Sequence, residues 1–492
     1  MQQENDSQLK QKTAKGLLWA FMNNGATQLL NAVFGVVLLN ILDRADYGMV
    51  GILTVFTLVA NAIQDSGFVT ALINKRNATH LDYNSVFWFN ICVSFTLYVI
   101  LFFCAPLIAD FYDEPQLEPL ARYYFFGFFI ASFSIVPRAI LTKQIKQKEL
   151  AFMGFFALVL SGTVGIVMAL NKMTYWGIAT QTMVFNLMIS VLSWYFSKWK
   201  PSRKISLLPI REMFGFSSKM LITNIFNQVN NNVFSIILGK IYTKVEVGTY
   251  TQANKWNNMG NSTITGMVQG VAQPTFVQVG DDPERLRRAF SKMLRFTSFV
   301  AFPVMFALAL VAHEFIMMLA RTEWESSAQL MHYLCVGGAF LPIATLYYNL
   351  IISRGKSDIY MWNVIAQGSA ILGAILMVHA AGGGVDAMII SYVCVVVIWI
   401  GIWHIFLYQE IRYPFLSALK DMLPFLLTAA ATMTIVYFIT APFCDFQPSR
   451  MSYAILLLVR VLLAAAIYLG ILWLFGAKIL KECFGYLLKK KK

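Results

Sequence analysis

The segment Asn24–Gly48 returns as Asn224–Gly248, and this duplication limits the possible folds more than any other feature of the chain. Aligned without a gap, Asn24, Gln28, Asn31, Val33, Phe34, Leu38, Ile41 and Gly48 fall on identical residues. Arg44 meets Lys244, and Asp46 meets Glu246. Polar positions repeat along with apolar ones, so shared hydrophobicity does not account for the match. A same-direction internal repeat does.

Each copy begins with amides and ends in an apolar run, which raises the question of solvent. The chain is 58% hydrophobic and 13% charged, whereas soluble domains average about 25% charged residues. It therefore reads as an all-α polytopic membrane protein with lipid as its main solvent. A crossing needs about 20 mostly apolar residues. Fourteen spans are placed: 16–42, 46–73, 84–110, 118–141, 151–171, 174–197, 213–240, 246–275, 290–319, 326–352, 359–380, 386–408, 422–441 and 452–476, of which 246–275 is too polar to be found by hydropathy alone. The polar start lacks a short apolar core with a cleavage site, so the first span is expected to be retained. The six cysteines, Cys92, Cys104, Cys335, Cys394, Cys444 and Cys483, form no CxxC or Cys/His cluster. Neither a metal site nor a disulfide framework is expected, and no cofactor.

The basic residues alternate between the two sides. Twenty-nine of the 39 Lys and Arg residues fall in every second connection or in the termini, and seven on the opposite side. That bias predicts cytoplasmic termini and an even number of spans. The net charge of +14 is then a property of the cytoplasmic face and no sign of nucleic-acid binding. The longest basic connection, 197–211, contains Pro201 and Pro209 and reads as the linker between repeats. The expected domains are an N-lobe at 1–200 (spans 1–6), a C-lobe at 201–410 (spans 7–12), two added helices at 411–476, and a basic tail at 477–492. Segment 283–295 puts Leu286, Phe290 and Leu294 on one side and basic groups on the other, as an interfacial helix leading into span nine.

The seventh and eighth spans carry the unusual chemistry. Asn224, Asn227, Gln228 and Asn231 recur at helical spacing in span seven. Span eight holds Lys255, Asn258, Asn261, Gln269 and further amides. Unsatisfied polar groups in hydrocarbon cost several kcal/mol each, so such helices must face protein or water. Amides both donate and accept, which suits a ligand made of hydroxyls. The competing reading is hydrogen-bonding between helices, worth about 0.6 kcal/mol per contact. Lys219, Lys255 and Arg460 are intramembrane cations, each able to hold a phosphate or diphosphate. Lys219 would equally snorkel to the interface, and Arg460 would equally pair with a carboxylate. Asp65 is the candidate for a coupling ion, H+ or Na+, or else a helix brace. Glu314 reads as interfacial. No nucleophile elbow, P-loop, dinucleotide fingerprint or HExxH motif is present.

Four stretches carry a family resemblance. They are ILDRADYGMVG after the amide-bearing first span, and residues 64–90 with Asp65, Gly67, Phe68, His80, Trp88 and Asn90. The others are the run from Arg138 to Lys148-Glu149-Leu150-Ala151-Phe152, and Glu323-Trp324. On these the chain resembles the polysaccharide-transporter branch of the multidrug/oligosaccharidyl-lipid/polysaccharide flippase superfamily, of the O-antigen and colanic-acid exporter type, up to about residue 408. The resemblance implies a V-shaped bundle of two six-helix lobes around a cationic cavity. It implies a bacterial inner-membrane protein that moves undecaprenyl-diphosphate-linked oligosaccharides between leaflets, alongside other glycan-assembly proteins. The cavity candidates are Asn24, Gln28 and Asn31 from the first copy, with the span-seven and span-eight residues, Lys219 and Arg460.

The expected function is thus alternating-access transport of a lipid-linked glycan, without catalysis. Three rivals stand beside it. A cation-coupled small-molecule antiporter of the same superfamily would need buried carboxylates, and the spans offer few besides Asp65 and Glu314. A membrane glycan polymerase or ligase would need a substantial outer loop, which the short connections do not provide. A peptidoglycan-precursor flippase would differ only in cargo.

Overall fold

The computed structural model describes residues 30–65, 72, 78–144, 146–202, 206, 208–279, 282–443 and 449–474. Their regular structure is helical throughout. The helices are α1 (Leu30–Ile41), α2 (Arg44–Asp65), α3 (His80–Phe111), α4 (Leu117–Ser132), α5 (Ile135–Lys143), α6 (Gln147–Leu170), α7 (Thr174–Ser197), α8 (Leu208–Ile241) and α9 (Lys244–Val279). They continue as α10 (Pro283–Leu310), α11 (Ala312–Leu319), α12 (Glu325–Gly338), α13 (Leu341–Ser353), α14 (Ser357–Ala380), α15 (Val385–Ile411), α16 (Phe415–Thr440) and α17 (Arg450–Leu474). Among the described residues, ten stretches are long and apolar enough to cross a membrane. The other four expected spans correspond to α1, α2, α8 and α9, which are helical but not among those ten.

Local sequence explains where the helices start. Thr79 caps α3 by accepting from the Asp82 amide at 3.3 Å, while Asp82 accepts from the Thr79 amide at 2.8 Å. This reciprocal pair satisfies two otherwise orphaned donors. Asp282 caps α10 by accepting from the amides of Glu284 and Arg285, and Pro283 follows at a position that needs no donor. The two repeat copies turn in the same way. Between α1 and α2 the Asp43 amide donates to Asp46 Oδ2 at 3.1 Å, and between α8 and α9 the Thr243 amide donates to Glu246 Oε2 at 3.2 Å.

The chain divides into two compact units, Met1–Gly248 and Thr249–Lys492. In the first, α6 and α7 form a hairpin, α7 lies on α4, α4 on α3, and α8 runs along α2. A core of Leu72, Val86, Phe87, Val136, Ile140 and Ile210 gathers at the end where α3 begins. The inter-repeat connection is tied down there. The Trp88 indole donates to the Ser202 carbonyl at 2.9 Å, the Ser202 amide donates to Asn84 Oδ1 at 2.7 Å, and His80 meets the Lys200 carbonyl at 3.1 Å. Phe87, Trp194 and Trp199 form edge-on and tilted ring pairs over the same region.

In the second unit, α10 is one continuous helix from its basic start into its apolar length. Leu286, Phe290 and Leu294 are buried, while Arg285, Arg287, Arg288 and Lys292 are exposed. The last two helices pack within this unit: α16 lies along α10, and α17 against α11. Asp421 of α16 accepts from Ser291 and from Tyr413 at 2.5 Å, with Arg295 Nε at 3.6 Å. These contacts bind the start of α16 to α10.

Candidate functional site

Helix α9 is polar enough to need a reason for standing among apolar neighbours, and its two faces give one. Ala253, Trp256, Asn257, Asn261, Ile264 and Val268 are buried. On the other side lie Lys255, Asn258, Ser262, Thr265 and Gln269, separated by three, four, three and four residues. That spacing lines up one face of a helix. Asn258, Ser262 and Gln269 are exposed, and Lys255 and Thr265 half-buried. Fourteen residues separate the ends of this stripe, which makes it about 21 Å long at 1.5 Å per residue.

The stripe is lightly bonded. Thr265 donates to Asn261 Oδ1 at 2.8 Å. The Gln269 amide reaches the Tyr348 hydroxyl at 3.4 Å, and Tyr348 donates to Thr345 at 3.0 Å. The Lys255 ammonium stands 5.4 Å from the centre of the neighbouring Trp256 ring. Among the described residues it has no carboxylate within ion-pair distance. A cation held this way is available to an anionic group of a ligand. Asn258 and Ser262 offer donors and acceptors beside it.

The buried amides of α9 differ. Gln252 Oε1 and Asn257 Oδ1 are enclosed without a hydrogen-bond partner among the described residues. Asn261, one of the cavity candidates, is 8% exposed and turned into this packed side. Ser262 was not among the candidates. The three- and four-residue spacing from Lys255 was the signal that could have found it.

In the first unit, Asn31, Asn224 and Gln228 are half-buried, and Asn232 donates to the Gln228 carbonyl at 2.9 Å. Asn24 and Gln28 lie outside the described residues, as do the side chains of Asp65, Lys219, Asn227 and Asn231. A cavity of about 550 Å³ in this unit is lined by Val55, Phe56, Ile63, Leu97 and Leu107, with Ile236 of α8. Its lining is almost wholly apolar, so it suits hydrocarbon and not sugar.

Arg460 sits elsewhere, in the second unit. It is 3% exposed. Its guanidinium donates to Glu314 Oε1 at 2.6 Å and to the Thr440 hydroxyl at 2.9 Å. It thus joins α17 to α11 and α16. Glu314 is buried with it, although its place near a span end suggested an interfacial carboxylate. Among the described residues no group of three or more His, Cys, Asp or Glu side chains could hold a metal.

A family profile described as "Polysaccharide biosynthesis protein" matches residues 37–329. The chain is 23% identical to the lipopolysaccharide biosynthesis protein WzxC of Escherichia coli K12, over 72% of this chain and 73% of that one. It is 24% identical to the teichuronic acid biosynthesis protein TuaB of Bacillus subtilis 168, over 84% and 86%. The succinoglycan biosynthesis transport protein ExoT of Rhizobium meliloti 1021 is 23% identical, over 77% and 76%. Among solved structures, the lipid II flippase MurJ in an inward closed conformation superposes with a TM-score of 0.70 at 13% identity, covering 92% of this chain and 99% of that one. An inward-facing multidrug resistance MATE transporter gives 0.59 at 15% identity, covering 82% and 95%. These two likenesses carry the fold, an all-helical membrane bundle.

Proposed function

The chain belongs to the polysaccharide biosynthesis protein family, and on that premise we propose that it is a flippase. Its cargo is an oligosaccharide linked to a polyprenyl diphosphate, which it moves across the bacterial inner membrane by alternating access. The observation that carries this reading is the open polar face of α9. A face of amides and hydroxyls suits a glycan, and a lysine on that face with no carboxylate partner among the described residues suits a diphosphate.

In this reading the chain crosses the membrane fourteen times with both termini in the cytoplasm, as the charge bias indicates. Lobes at 1–200 and 201–410 are followed by the added pair at 411–476. Lys255, Asn258, Ser262 and Gln269 are the cargo contacts of the second unit, and Asn31, Asn224 and Gln228 are candidate contacts of the first. Lys219, Asn24, Asn227 and Asn231 complete the set, with Asp65 as the residue that would bind a coupling ion. The protein does not alter its cargo covalently. The antiporter reading gains no support from the buried carboxylate Glu314, since Arg460 already neutralises it. The names of the family relatives, which concern lipopolysaccharide, teichuronic acid and succinoglycan, favour a surface glycan as cargo.

The test is replacement of Lys255 by Ala and by Glu, with surface glycan and lipid-linked precursor measured by leaflet. Both variants should insert normally, lose export and accumulate precursor on the cytoplasmic side. Normal export by both would refute the assignment.

A further inference from the structure

The two repeat copies meet within the first unit, and the meeting is reciprocal. A Cβ built on Gly48 would lie 1.9 Å from the Lys244 carbonyl oxygen. A Cβ built on Gly248 would lie 1.9 Å from the Arg44 carbonyl oxygen, and 3.1 Å from the Gly48 amide nitrogen. Equivalent residues of the two copies therefore contact each other's backbone, as a two-fold relation requires. Glycine is needed at both because no side chain fits between two backbones this close.

Four further contacts surround this crossing. Lys244 Nζ pairs with Glu114 Oε1 at 2.9 Å. Lys240 Nζ pairs with Asp113 Oδ2 at 3.4 Å and donates to the Phe111 carbonyl at 2.6 Å. Phe111 is the last residue of α3, so Lys240 caps that helix from the other copy. Gly239, beside it, leaves room for the Tyr112 ring, which a Cβ there would approach to 2.5 Å. Every one of these contacts joins residues 44–48 or 111–114 to residues 239–248. All lie at one end of the helices, the end that the charge bias puts outside.

We propose that this cluster is a separable clasp. It closes the outer end of the transport path when intact and parts when that end opens. The inference rests on the alternating-access reading above. The chemistry fits a joint that opens repeatedly. Its ion pairs are partly exposed, and such pairs stabilise little. Water replaces their partners once they part. At the Gly48–Gly248 crossing itself backbone meets backbone, and the buried Tyr112 ring against Gly239 is a large side chain that is withdrawn when the cluster parts. The closeness of the crossing gives a sharp fit in one state, and that fit is lost on a small displacement.

The test places a spin label on each residue of a Glu114→Cys/Lys244→Cys pair, in a full-length chain whose native cysteines are replaced, in membrane vesicles. Two distance populations are expected, one short and one longer by the width of an opening. Gly48→Ala should shift the balance towards the longer one. A single short distance in every condition, unchanged by Gly48→Ala, would overturn the clasp. The same cysteine pair is then joined by a short bis-methanethiosulfonate, which links the two thiols through reducible disulfides with loss of sulfinate. Joining should abolish surface-glycan export and reduction should restore it, with neither single cysteine affected. Normal export by the joined protein would overturn the proposal. So would failure of the reagent to join two cysteines that each react singly. Because Glu114→Lys and Lys244→Glu alter only the half-buried side chains of the pair, their exchange gives a check free of backbone strain. Each alone should raise the longer population, and the double exchange should restore the wild-type balance. The distance measurement needs no cargo. A moving clasp in a chain whose deletion leaves all glycans intact would therefore refute the flippase reading and leave the clasp standing.

Discussion

Removing Arg460 should destabilise the protein severely, and removing both partners of its ion pair should not. The side chains of Arg460 and Glu314 are 4% and 6% exposed and meet at 2.6 Å. Thr440 accepts a second bond from the guanidinium at 2.9 Å. Glu314 Oε2 is buried with no hydrogen-bond partner among the described residues, and the half-exposed His313 ring is 3.9 Å from Oε1. Arg460→Ala therefore leaves a carboxylate enclosed with little to compensate its charge. Breaking a buried pair from one side costs about 3–5 kcal/mol. Replacing both partners by apolar residues of similar size removes the desolvation cost as well, and is often neutral or stabilising. The measurement is unfolding of the purified protein in mixed micelles by denaturing detergent, for Arg460→Ala, Glu314→Ala and Arg460→Met/Glu314→Leu. Each single variant should lose several kcal/mol, and the double variant should return to the wild-type value. Single losses under about 1 kcal/mol, the range of exposed pairs, would refute the argument. Export by the double variant separates two roles for Arg460. Normal export identifies a brace between α17, α11 and α16, whereas loss of export in a stable double variant identifies a group that handles an anionic lipid.

Three other outcomes follow from particular side chains. Trp88→Phe removes the indole bond to the Ser202 carbonyl and should loosen the inter-repeat connection by about 1 kcal/mol; faster tryptic cleavage after Lys198 in inside-out vesicles would register it. Ser262→Leu places an apolar group on the open face of α9 and should impair export with little change in stability, whereas Asn257→Leu on the packed face should overfill its site and lower stability by about 1–3 kcal/mol.

Features set by local or periodic rules were legible in the sequence. The repeat belongs here because it shows as a position-by-position match, and the membrane class because it follows from continuous apolar runs. So does the basic start of α10, where Leu286, Phe290 and Leu294 mark the buried side. The amides of α9 were legible as a group but not individually, because composition alone does not say which residues a helix turns towards its neighbours. Asn261 and Asn258 are alike in type and three apart, yet one is buried and the other exposed. Arg460 and Glu314 are far apart in the chain, and nothing local links them. The same is true of Trp88 and Ser202, and of Gly48 and Lys244. The Gly48–Gly248 match marked the repeat, but only packing revealed that the two glycines touch.

The duplication also explains an asymmetry that neither copy shows alone. Both copies set the same turn with the same type of cap, Asp43 with Asp46 and Thr243 with Glu246, although the residues differ. The cap needs only an oxygen acceptor at the right spacing, so the turn survives the exchange and the helix beyond it is free to change. If the ungapped register is carried past Gly48, the open face of α9 corresponds to Val55, Leu58, Ala62, Asp65 and Val69. Polar Lys255 thus answers to apolar Val55, and Asn258 to Leu58. Val55 lines the apolar cavity of the first unit, together with Phe56 and Ile63 of the same helix. Equivalent helices therefore differ: α9 carries an amide-and-lysine face, whereas α2 has apolar Val55, Leu58 and Ala62 at the corresponding positions, with the charged Asp65 beyond them, and lines the apolar cavity with Val55, Phe56 and Ile63. Equal faces would suit a cargo of uniform chemistry. Unequal faces suit an amphiphile, because sugar and diphosphate need hydrogen-bond partners, while a prenyl chain gains only from leaving water and polar groups. The divergence of the second copy after Gly248 is what lipid-linked glycan transport would require of a duplicated scaffold.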